Sequence, residues 1–226
     1  MKKSDYSNLF HAGFSLDPAK TALLVIDMQY ATACRETGLG RLLKESGQEE
    51  FGTYRFDRIE KSVVPNILSL LRFFRKDRLN VIYVTIGSQV PDYSDLAPHL
   101  KPLAEAVKNR KGLPNHEILD ELKPQEGEKT VTKTTMSAFN SSPLDSLLRS
   151  MGIDYLIFTG VSTNSCVEGT ARDAADKGYR CLIAEDACGA ASQKLHEAAL
   201  ENFGRLLGRV ESTEAIIKEL RERFGR

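Results

Sequence analysis

The sequence predicts a three-layer α/β/α domain built on a mostly parallel, six-stranded sheet. Two observations lead to this fold class. Short apolar runs rich in β-branched residues alternate along the chain with amphipathic stretches of helical period, and strands that are apolar on both faces are typical of buried parallel sheets. Helix start and stop signals fall between these runs, as right-handed crossovers between parallel strands require.

Six runs predict the strands of this sheet. Four of them are short and nearly all apolar: TALLVID (21–27), NVIYVTI (80–86), YLIFTGV (155–161) and YRCLIAED (179–186). Two weaker runs complete the sheet: EKTVTKT (128–134) and GRVEST (208–213).

Amphipathic stretches between the strands predict helices over residues 57–76, 141–152, 164–178, 192–205 and 212–224. Ser142 before Pro143 is typical of an N-cap followed by proline, and Gly152 and Gly178 stand where helices commonly end. Pro65 predicts a kink in the first of these helices, or a helix start near this residue.

Two long connections, residues 28–56 and 87–127, interrupt the alternation of strands and helices. Each follows a predicted strand, and open parallel sheets bind ligands beyond the carboxyl ends of their strands. We therefore expect both connections to border a substrate site.

Length and charge limit the classes of function. The 226 residues fit one domain, 1–226, with residues 1–19 as an N-terminal arm. The chain has 31 basic and 31 acidic residues, so no net charge attracts it to nucleic acid or to an anionic membrane. No apolar run approaches the roughly 20 residues that span a bilayer, and no signal-peptide core follows the N-terminal lysines. We expect a cytoplasmic protein that binds a small molecule or another protein.

The cysteines also exclude one kind of site. Cys34, Cys166, Cys181 and Cys188 form no C-x-x-C pair and have no histidine at zinc-ligand spacing. We therefore expect reduced thiols and no structural zinc.

Three polar or reactive side chains stand at or beyond the ends of different predicted strands. Asp27 ends the first strand, Lys133 lies near the end of the 128–134 run, and Cys166 follows the 155–161 run. Because the carboxyl ends of parallel strands share one edge of a sheet, we expect these groups to converge. Each also has a simpler interpretation: Asp27 as a turn former or cap, Lys133 as a solvated edge charge, and Cys166 as a packing residue.

The surroundings of Cys166 favour a reactive thiol. Asn164 predicts an N-cap that places Cys166 in the first turn of a helix, where unpaired N–H groups and the helix dipole favour an anion. That position and a nearby Lys133 ammonium predict a lowered pKa for the thiol. Small residues follow on the same helix, which lets it pack closely on the sheet: Gly169, Thr170, Ala171, Ala174, Ala175 and Gly178.

Three segments, LLVIDMQ, TKTTMSAF and GVSTNSCVEGTARDA, occur in this order along the chain. Together they resemble the signature segments of the isochorismatase-like cysteine hydrolases, which include nicotinamidases, N-carbamoylsarcosine amidases, ureidoacrylate amidohydrolases and biuret hydrolases. The resemblance implies a Rossmann-like strand order, hydrolysis of a carbon–nitrogen bond other than a peptide bond, and assembly as a homodimer or homotetramer.

Residue by residue, the resemblance implies a catalytic triad of Asp27, Lys133 and Cys166. It also implies a cis peptide bond between Val161 and Ser162, and an oxyanion hole formed by the backbone N–H groups of Ser162 and Cys166. The implied reaction is attack of the thiolate on the carbonyl of a small ureido, carbamoyl or amide substrate, through a thioester, with release of ammonia or an amine. No cofactor is implied.

One departure from the family pattern bears on metals. Nicotinamidases follow their second strand with an Asp-x-His stretch that helps to bind a metal, whereas GSQVPDYSD at this place contains no histidine. We therefore expect no metal and a substrate other than nicotinamide.

A second departure bears on the pocket, because the family commonly continues DMQ with Asn-x-Phe and this chain continues with Tyr-Ala-Thr (30–32). Gln29 and Tyr30 are predicted to line the pocket. Arg35 and Arg41 are candidate partners of a substrate carboxylate, although a solvated loop charge is the simpler interpretation of either arginine.

Two other functions stay open at this point. Isochorismatase-like ether hydrolysis does not need a cysteine nucleophile, so the intact surroundings of Cys166 favour carbon–nitrogen hydrolysis over it. A non-catalytic family member would instead use Cys166 as the responsive thiol of a sensing or binding protein.

Overall fold

The structure, a computed structural model, describes residues 13–223. Six strands form one sheet in the order β3-β2-β1-β4-β5-β6, and every neighbouring pair is parallel, so the sheet is fully rather than mostly parallel. The six predicted runs form the strands β1 (Thr21–Ile26), β2 (Asn80–Ile86), β3 (Lys129–Lys133), β4 (Tyr155–Val161), β5 (Arg180–Gly189) and β6 (Arg209–Glu211).

Helices cover both faces of the sheet. They are α1 (Tyr30–Ala33), α2 (Gly38–Glu45), α3 (Glu50–Arg58), α4 (Val64–Lys76), α5 (Lys101–Ala106), α6 (Ala138–Ser141), α7 (Leu144–Ser150), α8 (Glu168–Asp176), α9 (Gln193–Leu206) and α10 (Thr213–Arg223). Short 3₁₀ turns lie at Pro18–Lys20, Pro114–His116 and Asp120–Leu122. Within residues 13–223, no helix combines the length and apolar character needed to cross a membrane. Residues 1–12 of the predicted arm, and the last residue of the predicted helix 212–224, lie outside the described residues.

Side chains of the strands alternate between two apolar cores. Leu23 and Val25 of β1 pack towards α3, α4 and α10, whereas Leu24 and Ile26 pack towards α7, α8 and α9. All four are almost completely buried. Burial on both faces is the physical reason why these strands read as continuous apolar runs.

The long connection over residues 28–56 is largely helical, because it contains α1, α2 and most of α3. A wide π-helical turn, Ile59–Val63, links α3 to α4, so the helix predicted to begin at residue 57 is continuous with one that begins at Glu50. Pro65 is the second residue of α4, and α4 directly follows the π-helical turn, where the regular hydrogen bonding of the continuous helix is interrupted.

Strand order reverses between β1 and β4, and this point of reversal is where open parallel sheets form a ligand crevice. Ile26 of β1 is the partner of Gly160 in β4. Gly160 has a φ of 107°, and a Cβ on it would collide with the Ile26 carbonyl oxygen. Only glycine therefore allows the two strands to approach so closely beside the crevice.

Candidate active site

Asp27 lies at the carboxyl end of β1, directly in the crevice. Its backbone has a φ of 53°, in the left-handed region that Asp adopts more readily than most non-glycine residues, and its N–H donates to the carbonyl oxygen of Val84 at 2.8 Å. The side chain is buried, and Oδ2 accepts a hydrogen bond from Lys133 Nζ at 2.9 Å. Among residues 13–223, no group hydrogen-bonds to the buried Oδ1.

Lys133 is the last residue of β3, and its side chain is completely buried. Its Nζ donates to Asp27 Oδ2, to Cys166 Sγ at 3.1 Å and to the Thr135 carbonyl oxygen at 3.3 Å. The interpretation of Lys133 as a solvated edge charge is therefore excluded. The ammonium instead joins the carboxylate to the thiol.

Cys166 lies in a π-helical turn, Thr163–Val167, that leads into α8. This turn begins after Ser162, so Ser162 and not Asn164 is the N-cap, which corrects the prediction for Asn164. Cys166 still falls in the first turn. The residue is 7% exposed, and its Sγ contacts Met136 Sδ at 3.6 Å.

Burial controls the proton affinities of these three groups. It raises the pKa of the Asp27 carboxyl, and the Lys133 ammonium offsets only part of this effect. The pKa of the Cys166 thiol is raised to about 12, mainly by burial and also by the Asp27 carboxylate, against an opposing effect of Lys133. Burial lowers the pKa of Lys133, but its interactions with Asp27 and Cys166 outweigh this effect, and the net shift is upward.

The prediction of a lowered thiol pKa is thus wrong. It considered the helix start and the lysine but not desolvation or the neighbouring carboxylate, both of which penalise the thiolate. At neutral pH the Cys166 thiol of the free protein is therefore neutral, and it lies beside the Asp27–Lys133 ion pair. Such a thiol becomes a nucleophile only when a base removes its proton.

The peptide bond between Val161 and Ser162 is cis. Both Ser162 and Cys166 border the same cavity, and the Ser162 hydroxyl accepts a hydrogen bond from Arg55 Nη1 at 2.7 Å. Backbone N–H groups at the start of a helix are the ones that its own carbonyl groups leave free. The N–H groups of Ser162 and Cys166, which form the implied oxyanion hole, therefore lie at a helix start, where backbone N–H donors are free to bind an oxyanion.

The cavity at these strand ends has a volume of about 210 Å³. Its wall is mainly apolar, with contributions from both long connections. The apolar side chains are Ala31, Leu39, Ile86, Leu96, Leu100, Leu103, Ala104, Val107, Met136 and Val161, and the polar ones are Asp27, Thr32, Arg55, Asn109, Ser162, Ser165 and Cys166.

The four residues predicted to bind substrate are not among those that line this cavity. Gln29 is fully buried beneath it, where Oε1 accepts from the Ile86 N–H at 2.8 Å and Nε2 donates to the Ile86 and His116 carbonyl oxygens. Its amide thus extends the hydrogen bonding of the sheet past β1, which leaves it no group for a substrate.

Tyr30 packs against the core, and burial raises the pKa of its hydroxyl group. Arg35 forms ion pairs with Asp57 and Glu60, and the exposed Arg41 pairs with Glu45 within α2. Because acids of this chain already satisfy both guanidinium groups, the interpretation of these arginines as surface charges fits the structure better than substrate binding.

Arg55 is a charged residue of the cavity wall that the sequence prediction missed. It lies in α3 and is 7% exposed, and its side chain reaches the cavity between Thr32 and Ser162. The buried positions of α3 are Gly52, Arg55 and Phe56, which fall on one helical face. This spacing indicates that Arg55 faces inward, but only once residues 50–58 are known to form a helix. Because the sequence predicts no helix over residues 50–56, nothing in it distinguishes Arg55 from the other charged residues of this connection.

Metal ligands do not cluster in the described part of the chain. Within residues 13–223, no group of three or more His, Cys, Asp or Glu side chains is arranged to hold a metal ion.

Comparisons with known proteins agree with this fold. The Isochorismatase domain family matches residues 21–215. The proteins named ureidoacrylate amidohydrolase RutB from Klebsiella pneumoniae and Caulobacter segnis are 32% and 33% identical, over 91% and 88% of this chain and 89% and 84% of their own.

Solved structures of similar fold include a cysteine hydrolase from Pseudomonas syringae, with a TM-score of 0.80 and 25% identity over 94% of this chain and 98% of that one. An N-carbamoylsarcosine amidase from Thermoplasma acidophilum has a TM-score of 0.65 and 27% identity over 86% of this chain and 97% of its own. The family match spans most of the chain, including all three candidate catalytic residues. The chain therefore belongs to the isochorismatase family of hydrolases.

Proposed function

We propose that the protein is a cysteine-dependent amidohydrolase, which cleaves a carbon–nitrogen bond of a small ureido, carbamoyl or amide substrate through a thioester. One observation carries this proposal. A thiol at the cavity wall lies 3.1 Å from the Lys133 ammonium, which also holds the Asp27 carboxylate at 2.9 Å. The names of the relatives, ureidoacrylate amidohydrolase and N-carbamoylsarcosine amidase, support hydrolysis of non-peptide carbon–nitrogen bonds.

The acylation half of the proposed reaction begins with the neutral thiol. Asp27, whose pKa is raised by burial, accepts the thiol proton on its unpartnered Oδ1 while Cys166 Sγ bonds to the substrate carbonyl carbon. The Ser162 and Cys166 N–H groups donate to the oxyanion that forms. The carbon–nitrogen bond then breaks, the leaving nitrogen takes the proton from Asp27, and ammonia or an amine departs.

In the deacylation half, Asp27 again accepts a proton and then donates it. A water molecule gives a proton to Asp27 as its oxygen bonds to the thioester carbon, the carbon–sulfur bond breaks, and sulfur recovers the proton from Asp27. One water is consumed, and one acid and one ammonia or amine are formed. Lys133 keeps its proton throughout, since its pKa is raised, and it stabilises negative charge on both the carboxylate and the sulfur.

The thiol-sensing alternative fits the geometry less well. Sensor cysteines have a low pKa and an accessible sulfur. Cys166 is only 7% exposed, and the pKa of its thiol is raised. Ether hydrolysis is the other alternative. It does not need the thiol, so loss of Cys166 separates it from amide hydrolysis.

Ammonia release from a panel of biuret, ureido acids, N-carbamoyl amino acids and simple amides tests the proposal. We expect the wild-type protein to hydrolyse at least one compound, the Cys166→Ala variant to hydrolyse none, and the matched Cys34→Ala control to keep its activity. Undiminished turnover by Cys166→Ala would refute the cysteine mechanism. Cleavage of isochorismate by both wild type and Cys166→Ala would establish ether hydrolysis instead.

The relatives support a small-molecule substrate. A homodimer or homotetramer stays a prediction, and light scattering tests it: a monomeric mass would contradict it.

A further inference from the structure

Arg55 presents a buried positive charge to the cavity, and no acidic side chain within residues 13–223 forms an ion pair or hydrogen bond with it. Its Nε and Nη2 donate to the Thr32 carbonyl oxygen at 3.3 and 2.9 Å, and its Nη1 donates to Ser162 Oγ at 2.7 Å. All of these acceptors are uncharged. A guanidinium has five N–H groups, so one N–H on Nη1 and one on Nη2 keep no acceptor among the described residues.

Other buried or partly buried arginines of this chain either form an ion pair with an acid or lie away from the cavity. Arg75 pairs with Glu128, and Arg209 pairs with Glu219. Arg58, one helical turn after Arg55 in α3, donates to the Cys188 and Glu185 carbonyl oxygens and contacts the His196 ring. Arg58 does not line the cavity. Arg55 is therefore distinguished by both its missing acid and its place in the cavity wall.

The charges around the cavity do not balance. Asp27 and Lys133 cancel each other in their ion pair, and the Cys166 thiol is neutral. Burial lowers the pKa of Arg55 to about 10, which still leaves the guanidinium protonated at neutral pH. Among the residues that the structure describes, one positive charge thus remains uncompensated in a mainly apolar space, which is energetically unfavourable until an anion binds.

We propose that Arg55 is an anion-binding residue and that the substrate carries a carboxylate in addition to the carbon–nitrogen group that is cleaved. The surplus of one charge matches a monoanion, and the two remaining N–H groups suit a carboxylate, which guanidinium groups bind in a bidentate manner. The apolar wall of Leu96, Leu100 and Val107 suits a short hydrocarbon segment between the two groups. The claim that the substrate also carries a cleavable carbon–nitrogen group rests on the proposed function, but the claim of a carboxylate site does not.

A purely positioning role for Arg55 makes a different prediction. Through Ser162 Oγ, the guanidinium also holds the segment that carries the implied oxyanion hole. If positioning were its only role, its loss would lower turnover of charged and uncharged substrates by the same factor. An anion-binding role predicts a selective loss for the charged substrate.

Calorimetric titration tests the site without any hydrolysis, with butanoate and its uncharged isostere 2-pentanone as probes. We expect wild type to bind butanoate at least tenfold more tightly than 2-pentanone, Arg55→Met to lose this preference, and Arg55→Lys to keep a weaker one. The matched Arg58→Met control should retain the wild-type preference. Equal binding of the two probes by wild type would overturn the proposal, and this comparison stands even if a variant does not fold.

Ammonia release from 3-ureidopropanoate and its uncharged isostere 3-methylbutylurea completes the test. We expect wild type to favour the acid, and Arg55→Met to lower the ratio of the two kcat/KM values by about 100-fold. If neither urea is hydrolysed but butanoate is still preferred, the proposed function fails and the carboxylate site stands. If both ureas are hydrolysed equally well, or if Arg55→Met keeps the wild-type ratio, the carboxylate site is refuted and the proposed function stands.

Discussion

Lys133 and Asp27 form a completely buried ion pair, in which Nζ lies 2.9 Å from Oδ2 and the side chains are 0% and 2% exposed. Both charges are almost completely removed from bulk solvent. Each therefore depends on the other, and on the Cys166 thiol that Lys133 also contacts.

The first prediction concerns this pair. Lys133→Met leaves the Asp27 carboxylate buried without its cation, so we expect the free energy of unfolding to fall by about 3–5 kcal/mol and kcat to fall by about 100-fold or more. Urea unfolding and steady-state kinetics measure these effects. Lys20→Met is the matched control, because it removes a lysine–aspartate pair that is roughly half exposed and should change little. Equal effects of the two substitutions would contradict the account.

The second prediction concerns pH. Protonated Asp27 cannot accept the thiol proton, so kcat/KM should rise with pH on the acid side of its profile. Because burial raises the pKa of Asp27 above its ordinary value of 3.8, the midpoint of this rise should lie above 3.8. The midpoint belongs to the coupled cluster and not to Asp27 alone. A kcat/KM that stays flat down to the acid unfolding transition would argue against Asp27 as the base.

The third prediction separates thiol reactivity from catalysis. The Asp27 carboxylate raises the pKa of Cys166 while Lys133 lowers it, so Asp27→Asn should make the thiol more acidic. We expect this variant to react faster than wild type with iodoacetamide at neutral pH, but to hydrolyse substrate far more slowly. Peptide mass spectrometry gives the rate at Cys166, and Cys34 in the same sample is the internal control. Slower alkylation of Asp27→Asn would contradict the charge arrangement.

The fourth prediction concerns Gln29. Gln29→Leu leaves the buried Ile86 N–H without its acceptor, so the free energy of unfolding should fall by about 1–3 kcal/mol. Arg41→Gln removes a residue of the same predicted substrate set that lies on the surface, and should change neither the urea midpoint nor KM. If Gln29→Leu raised KM without loss of stability, Gln29 would have to be returned to the substrate-binding residues.

Local pattern was sufficient to predict most of the fold. Parallel strands buried on both faces are apolar along their whole length, so runs such as NVIYVTI and YLIFTGV identify β2 and β4 with the bounds that the structure has. Their carboxyl ends share one edge, which is why Asp27, Lys133 and Cys166 could be expected to meet.

Properties that depend on distant contacts could not be predicted in this way. The roles of Gln29 and Arg55 follow from where the long connections fold, since their partners Ile86 and Ser162 are far away in the chain. The raised pKa of Cys166 follows from desolvation, which the position of a residue in a helix does not reveal.

Trapping of the acyl-enzyme by intact-protein mass spectrometry tests the central claim most directly. After rapid acid quenching during turnover, we expect a fraction of the wild-type protein to gain the mass of the substrate's acyl group, with the added mass on the peptide that contains Cys166. Cys166→Ala should show no adduct, and Cys34→Ala should show the wild-type amount. An adduct on another residue, or turnover by Cys166→Ala at the wild-type rate, would contradict the account.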